Sequence, residues 1–320
     1  MLRLAPSWVW DSWLADDGDR FHLFYLKASR ALQDPDRRHG RASIGHAVSD
    51  DLVHWTELAD ALVAEDGPAF DDLATWTGSV VRDPTGLWRL FYSGIDRAGG
   101  GLVQRIGQAT SSDLVTWHRT DLLLESDPRW YEKAPSAGWP DEAWRDPWVM
   151  PGPDGEGWRM LVTARADHGE PNHRGVVGQA TSDDLETWRI GPPLSTPDGG
   201  FGQLEVLQHA VVDGQPLLMF SCLHTEMATE REDRRRGGVW VVPVEEPLES
   251  VDVDHAVRVT SEALYSGRLE QDRSGAWVML AFRNIDEAGE FVGEITDPIP
   301  VTWDGARLRL SDVPEAWLPD

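Results

Sequence analysis

Three carboxylates stand where acids are rarely kept for solubility alone. Asp11 lies in Trp8-Val9-Trp10-Asp11-Ser12-Trp13, Asp146 in Trp144-Arg145-Asp146-Pro147, and Glu205 in Gly202-Gln203-Leu204-Glu205-Val206. Their neighbours are aromatic, small or apolar rather than charged, and an acid without a partner or a role is costly in such company. Carboxylates of this kind suit cleavage of a sugar bond. One acid delivers a proton to the departing oxygen, a second attacks the anomeric carbon or activates water, and a third grips sugar hydroxyls. The motifs are far apart in sequence, so only tertiary structure can bring the three together.

Composition narrows the alternatives. The 320 residues carry a formal net charge of -26, which disfavours nucleic acid and anionic membrane as partners, because both need a basic face. A neutral small-molecule carbohydrate fits that charge. With 17 Trp against 4 Tyr and 8 Phe, the chain has many flat rings, for packing between sheets or for stacking under sugars. The single cysteine, Cys222, sits in the strand-like run Phe220-Ser221-Cys222-Leu223 and reads as a buried structural thiol. No cysteine cluster exists for a metal, and the chemistry above requires neither metal nor cofactor. No apolar run approaches the roughly 20 residues of a membrane span. The N-terminus lacks a basic region followed by an apolar stretch, which predicts a cytoplasmic location.

Internal repeats indicate the scaffold. His46-Ala47-Val48-Ser49-Asp50-Asp51-Leu52-Val53-His54-Trp55 returns as Gln108-Ala109-Thr110-Ser111-Ser112-Asp113-Leu114-Val115-Thr116-Trp117 and again as Gln179-Ala180-Thr181-Ser182-Asp183-Asp184-Leu185-Glu186-Thr187-Trp188. Each copy reads as a short strand (44–48, 106–110, 177–181) running into an Asp turn, with Leu and Trp packing the turn back on the sheet. Upstream lie strands at 21–25, 88–92 and 158–162, preceded by others at 78–81 and 147–150. Two later units keep the rhythm without the signature: 204, 216–220 and 238–242, then 264, 276–280 and 291–295, with Leu308–Leu310 as a closing strand. The expectation is an all-β, five-bladed propeller with four antiparallel strands per blade and a central funnel, one domain over 1–320. The innermost strands would carry all three acids into that funnel. Trp55, Trp117 and Trp188 read as packing residues and His46 as a structural hydrogen-bonder. His224 is a further candidate to reach the funnel. The loop 34–41 is a candidate cover for the mouth, and 229–236 a solvated charged connection.

Several segments together resemble a known group. Val9-Trp10-Asp11-Ser12-Trp13 is similar to the nucleophile motif of glycoside hydrolase family 68, and Trp76-Thr77-Gly78-Ser79 resembles its Trp-Ser-Gly-Ser element. Arg145-Asp146-Pro147 matches the Arg-Asp-Pro signature shared by families 32 and 68. Gly45 to Trp55 is very similar to the first-blade segment of family 32, and Tyr265-Ser266-Gly267-Arg268-Leu269 to its fifth-blade tyrosine element. The resemblance implies a retaining mechanism on β-fructofuranosides. Asp11 would be the nucleophile, Glu205 the acid/base, and Asp146 the holder of two sugar hydroxyls. It also implies binding roles for Trp10 and Trp76 as an apolar wall, for Arg145 beside the carboxylates, for Gln203, and for Tyr265 near the acid pair. Transfer to a second sugar would share the same intermediate.

The chain departs from both families in places. Family 32 has Asn-Asp-Pro-Asn at the nucleophile, family 68 has a glutamate where Gln203 stands, and Val206-Leu207 replaces the Cys-Pro or Arg-Pro after the acid/base. No C-terminal β-sandwich of the family-32 kind is expected within 1–320. Two other readings share the architecture: an inverting furanosidase like family 43, and a sugar-binding propeller without activity. An Asp11–Glu205 carboxyl separation near 5 Å would mark retention and roughly 6.5–9.5 Å inversion.

Overall fold

The computed structural model describes residues 1–134, 138–153, 155–229 and 236–319. Its strands form five antiparallel sheets that follow one another as the blades of a propeller. The first holds β1 (Ser7–Asp16), β2 (Phe21–Ser29), β3 (Ser43–Ser49) and β4 (Thr56–Glu57). The second holds β5 (Ala74–Arg82), β6 (Trp88–Ile95), β7 (Gln104–Ser111) and β8 (His118–Leu124). The third holds β9 (Trp144–Pro151), β10 (Trp158–Arg165), β11 (Gly175–Ser182) and β12 (Trp188–Gly191). The fourth holds β13 (Glu205–Val212), β14 (Gln215–Cys222), β15 (Gly238–Pro243) and β16 (Val257–Arg258). The fifth runs β17 (Leu264–Gln271), β18 (Trp277–Ile285), β20 (Ile299–Trp303), β21 (Leu308–Leu310), with β19 (Phe291–Ile295) also paired to β18. The third position of this blade is therefore shared. β19 pairs with one end of β18 through Phe282 and Arg283, and β20 with the other through Val278 and Met279. The expected sequence of strands there lacked β20, because Pro300 inside Ile299–Trp303 reads as a strand breaker. No helix of the described residues is long and apolar enough to cross a membrane. Of the 229–236 loop, residues 230–235 lie outside the described set.

The repeated turn works as its sequence suggests. Asp51 Oδ1 accepts the Val53 and His54 amides, Asp113 Oδ1 those of Val115 and Thr116, and Asp184 Oδ1 those of Glu186 and Thr187. In each turn the leucine takes a positive φ (64°, 62° and 64° at Leu52, Leu114 and Leu185) and is buried. A left-handed leucine is strained, so burial of its side chain is what keeps leucine rather than glycine at the position. The following tryptophans bridge blades: Trp117 packs edge-on against Phe24 of the first, and Trp188 against Phe91 of the second. His46 stacks on Phe24 and shares a hydrogen bond with buried His22, a structural role. Cys222 is fully buried. The core is divided among the blade interfaces rather than gathered in one place. The ring closes where Leu2 exchanges both backbone hydrogen bonds with Ile295, at 3.0 Å each, and the Met1 amino group pairs with Asp297.

All five innermost strands carry a bulge. The register slips between Trp10 and Ser12 in β1, and between Thr75 and Gly78 in β5. It slips again around Asp146 in β9, between Glu205 and Gln208 in β13, and between Tyr265 and Arg268 in β17. Asp146, Val206 and Ser266 all take positive φ there (56°, 56° and 50°). Bulges re-aim side chains and leave a backbone group out of the ladder. A buried hydroxyl on the second strand of the preceding blade receives that group. Ser93 accepts from Asp146 N (2.8 Å), Thr163 from Val206 N (3.2 Å), and Ser221 from Ser266 N (3.0 Å). Replacing Ser221 by alanine strands the Ser266 amide in the interior. The expected loss is about 1–3 kcal/mol, read as a lower urea midpoint with an unchanged m-value; an unshifted midpoint would show that the hydroxyl does not hold the bulge.

Candidate active site

The bulges open onto one cavity of about 390 Å³, lined by Trp10, Asp11, Trp76, Arg145, Asp146, Gln203, Glu205 and Tyr265, the whole set singled out in the sequence. Asp11 lies in the middle of β1. It is held from both sides: Thr77 Oγ1 of the second blade donates to Oδ2 (2.5 Å) and Ser266 Oγ of the fifth to Oδ1 (2.6 Å). Asp146 Oδ2 accepts from Thr163 Oγ1 (2.9 Å), and its carboxyl is almost wholly enclosed. Glu205 accepts on both oxygens, Oε1 from Arg145 Nη2 (2.5 Å) and Oε2 from the Tyr265 hydroxyl. Arg145 also reaches Gln104 Oε1 (2.9 Å), Gln203 Oε1 and, through Nε, Asp146 at 3.5 Å. One buried guanidinium thus ties the second, third and fourth blades together at the site.

Other contributors carry no chemical mark in the sequence. The 3-10 turn Pro35–Arg41 does cover part of the mouth. Its His39 carbonyl accepts from Trp76 Nε1 (2.8 Å), the His39 ring stands edge-on to Trp10 and Trp76, and Arg38 packs over Trp10 and Phe291. Burial pushes His39 down to about 3, with Arg38 and Arg145 adding to the effect, so its ring is neutral at ordinary pH. Below the acids, Arg268 is buried and donates to the Ser12 (3.2 Å), Val206 (3.2 Å) and Leu207 (2.7 Å) carbonyls. Thr77 and Ser266 stood inside quoted motifs without a role; the bulges give them one. Asp141, Glu226 and Asn284 also line the cavity. His224 does not: it is exposed, with Nδ1 on Glu262 at 2.8 Å. Among the described residues no group of three or more His, Cys, Asp or Glu is placed to hold a metal ion.

The electrostatics are those of acids crowded out of water. Burial raises the Asp11 carboxyl; the Ser266 and Thr77 hydroxyls and the Arg268 charge pull it down, and Glu205 pushes it up. Burial raises Asp146 to about 7, against Arg145, with Asp11 and Glu205 raising it further. Arg145 is driven above its usual value because the attraction of Glu205, Asp146 and Asp141 outweighs its own burial.

Residues 13–242 match the model of the glycosyl hydrolases family 32 N-terminal domain. The chain belongs to that family. A β-fructofuranosidase of Arabidopsis thaliana (insoluble isoenzyme CWINV6) is 31% identical over 184 residues, 56% of this chain and 30% of that protein. The sucrose-6-phosphate hydrolase of Escherichia coli is 29% identical over 233 residues, 69% of this chain and 43% of that protein. The family-32 chain spans under half the length of these curated relatives. In fold it is similar to the inulosucrase of Halalkalicoccus jeotgali solved with kestose, at TM-score 0.79 and 20% identity over 100% of this chain and 94% of that one. It is similar too to the Bacillus subtilis levansucrase, at TM-score 0.70 and 13% identity over 98% and 88%.

A raised carboxyl makes a testable demand on stability. Asp146 binds its proton more tightly folded than unfolded, so the fold loses stability as pH rises from the ordinary carboxylate value near 4 through about 7. Asp146→Asn removes that cost. Its Tm is expected to exceed wild type by at least about 3 °C at pH 8, with the gap closing by pH 4.5. A gap that is constant across that range would mean that ionisation of Asp146 is not what the fold resists.

Proposed function

We propose that this family-32 propeller is a retaining glycosidase that cleaves β-fructofuranosides, sucrose or short fructo-oligosaccharides, with fructosyl transfer as a side course. The observation that carries the reading is that Asp11, Asp146 and Glu205, from three blades, open onto one cavity. The names of the relatives point the same way. Asp11, held by Thr77 and Ser266, attacks the anomeric carbon. The bond from that carbon to the bridging oxygen breaks, and Glu205 gives its proton to the departing oxygen, which leaves as an alcohol. Asp146 holds two ring hydroxyls and stabilises the positive charge that develops on the sugar. Water then attacks the fructosyl–Asp11 ester and gives its proton to Glu205, so fructose leaves and both carboxyls return to their starting states. A sugar hydroxyl in place of water gives transfer. In the present geometry both Glu205 oxygens accept hydrogen bonds, which fixes the orientation of the carboxyl in the cavity. Trp10 and Trp76 wall the small ring, and the Pro35–Arg41 turn limits water at the mouth.

Wild-type protein is expected to release glucose and fructose from sucrose, and Asp11→Asn to lower kcat by about a thousandfold or more while still binding the sugar. With methanol as competing acceptor, retention gives methyl β-fructofuranoside and inversion the α-anomer. A screen of sucrose, inulin- and levan-type oligomers and arabinofuranosides in which wild type and variant bind sugar alike and neither turns any over would leave a binding propeller instead of an enzyme.

A further inference from the structure

The stretch 202–206 carries two of the cavity's side chains, Gln203 and Glu205, and the third blade grips it from behind. Strand β10 supplies the grip. Thr163 and Arg165 stand two residues apart on it, so their side chains share a face. Thr163 Oγ1 meets the Leu204 carbonyl at 3.0 Å and accepts from Val206 N, and Arg165 Nη1 donates to the Gly202 carbonyl at 2.5 Å. Backbone groups of 202, 204 and 206 thus meet β10, while Gln203 and Glu205 between them reach the cavity, where Arg145 binds both. Arg165 itself is 1% exposed and stands outside the cavity lining.

Further contacts fix Arg165 in its turn. Its Nε donates to Glu132 Oε2 at 2.6 Å, Glu132 N donates to the Arg165 carbonyl at 2.9 Å, and the guanidinium lies 3.6 Å from the centroid of the Trp139 ring. Arg174 Nη1 holds the other Glu132 oxygen at 2.5 Å. Trp139 also closes on Gly202. A Cβ there would come within 2.8 Å of the indole and 2.6 Å of the Glu226 carbonyl oxygen, so only glycine allows the approach. Gly202 N donates to that same carbonyl at 2.7 Å. We propose that Arg165, clamped by Glu132, is a positioning residue for Glu205: it fixes the main chain at Gly202 and so sets where the Glu205 carboxyl emerges. The inference rests on the glycosidase reading for what Glu205 does once placed. Its catalytic weight comes from geometry, since a displacement of about 1 Å at a reacting group costs about a hundredfold in rate.

Two substrates separate positioning from mere stability. Sucrose needs a proton on its departing oxygen, whereas β-fructofuranosyl fluoride loses fluoride, a weak base that leaves with little help. For both, kcat/KM covers the steps up to the fructosyl–Asp11 ester. Arg165→Lys keeps the charge and loses the fork that reaches Glu132 and Gly202 together. Its kcat/KM is expected to fall about a hundredfold on sucrose and by no more than about threefold on the fluoride. Glu132→Gln, which leaves Arg165 unclamped, is expected to act in the same direction by about tenfold on sucrose, and it carries the test if the lysine variant does not fold. Equal losses on both sugars overturn the assignment, because a smaller folded fraction lowers both alike; so does no loss on either. Hydrogen exchange gives a reading without turnover. Amides of 202–206 should exchange at least about tenfold faster in either variant than in wild type, with those of β1 unchanged; unaltered exchange at 202–206 overturns the assignment. Wild type that cleaves neither compound defeats the glycosidase reading, and exchange alone then decides whether Arg165 holds the stretch.

Discussion

The site depends on a hydrogen bond that no strand ladder supplies. Where an innermost strand bulges toward the cavity, its displaced N–H must find an acceptor in a region closed to water. Ser93, Thr163 and Ser221 supply it from the blade before. Each hydroxyl therefore links two sheets, and it fixes the position of the next site residue along the ring. Asp146, Glu205 and Tyr265 each sit in or beside a bulge held in this way. Asp11, in the first blade, is held instead by direct donors from its two neighbours, Thr77 and Ser266. Placement of a side chain in the cavity and cohesion of adjacent blades thus depend on the same contacts.

That arrangement sets the electrostatic problem. Carboxyls are forced into a space where burial raises Asp11 and Asp146, and two buried guanidiniums answer from different sides. Arg145 faces the cavity and touches the carboxyls directly. Arg268 lies among backbone carbonyls beneath them; burial lowers it to about 10, and its charge acts on Asp146 and Asp11 from a distance. Direct contact fixes geometry, while a cation one layer away helps keep Asp11 ionised without occupying its oxygens, which are needed by the hydroxyl donors and by the sugar. A site like this costs the fold stability, which is the usual relation between buried charge and chemistry.

Much of this was legible in the sequence, for identifiable reasons. Asp11, Asp146 and Glu205 stood out because their neighbours were of the wrong kind for a surface acid. The blades stood out because Ser-Asp-Leu-Trp turns recur and because the turn chemistry is local, an aspartate bonding amides two and three residues on. The strand β20 was hidden by Pro300, and the placing of Asp11 within β1 by a bulge that leaves no glycine to mark it. Val206 and Ser266 adopt left-handed backbone for tertiary reasons that propensity does not encode. Glu226 ends a short turn at His224–Glu226 among unremarkable neighbours, and Asp141 precedes a strand. Both enter the cavity through pairing with distant segments, so periodicity or spacing had nothing to report. His224, which looked well placed at a strand end, is drawn outward by Glu262.

The junction between Leu2 and Ile295 has a consequence for how the molecule assembles. Leu2 must wait for Ile295 before their hydrogen bonds can form, and Asp11 must wait for Ser266. Contacts of such long sequence separation slow folding, because chain entropy is lost before the contacts reward it. Until the fifth sheet emerges from the ribosome, the first presents unpaired edges and uncovered apolar surface, and the nascent chain spends that interval open to aggregation.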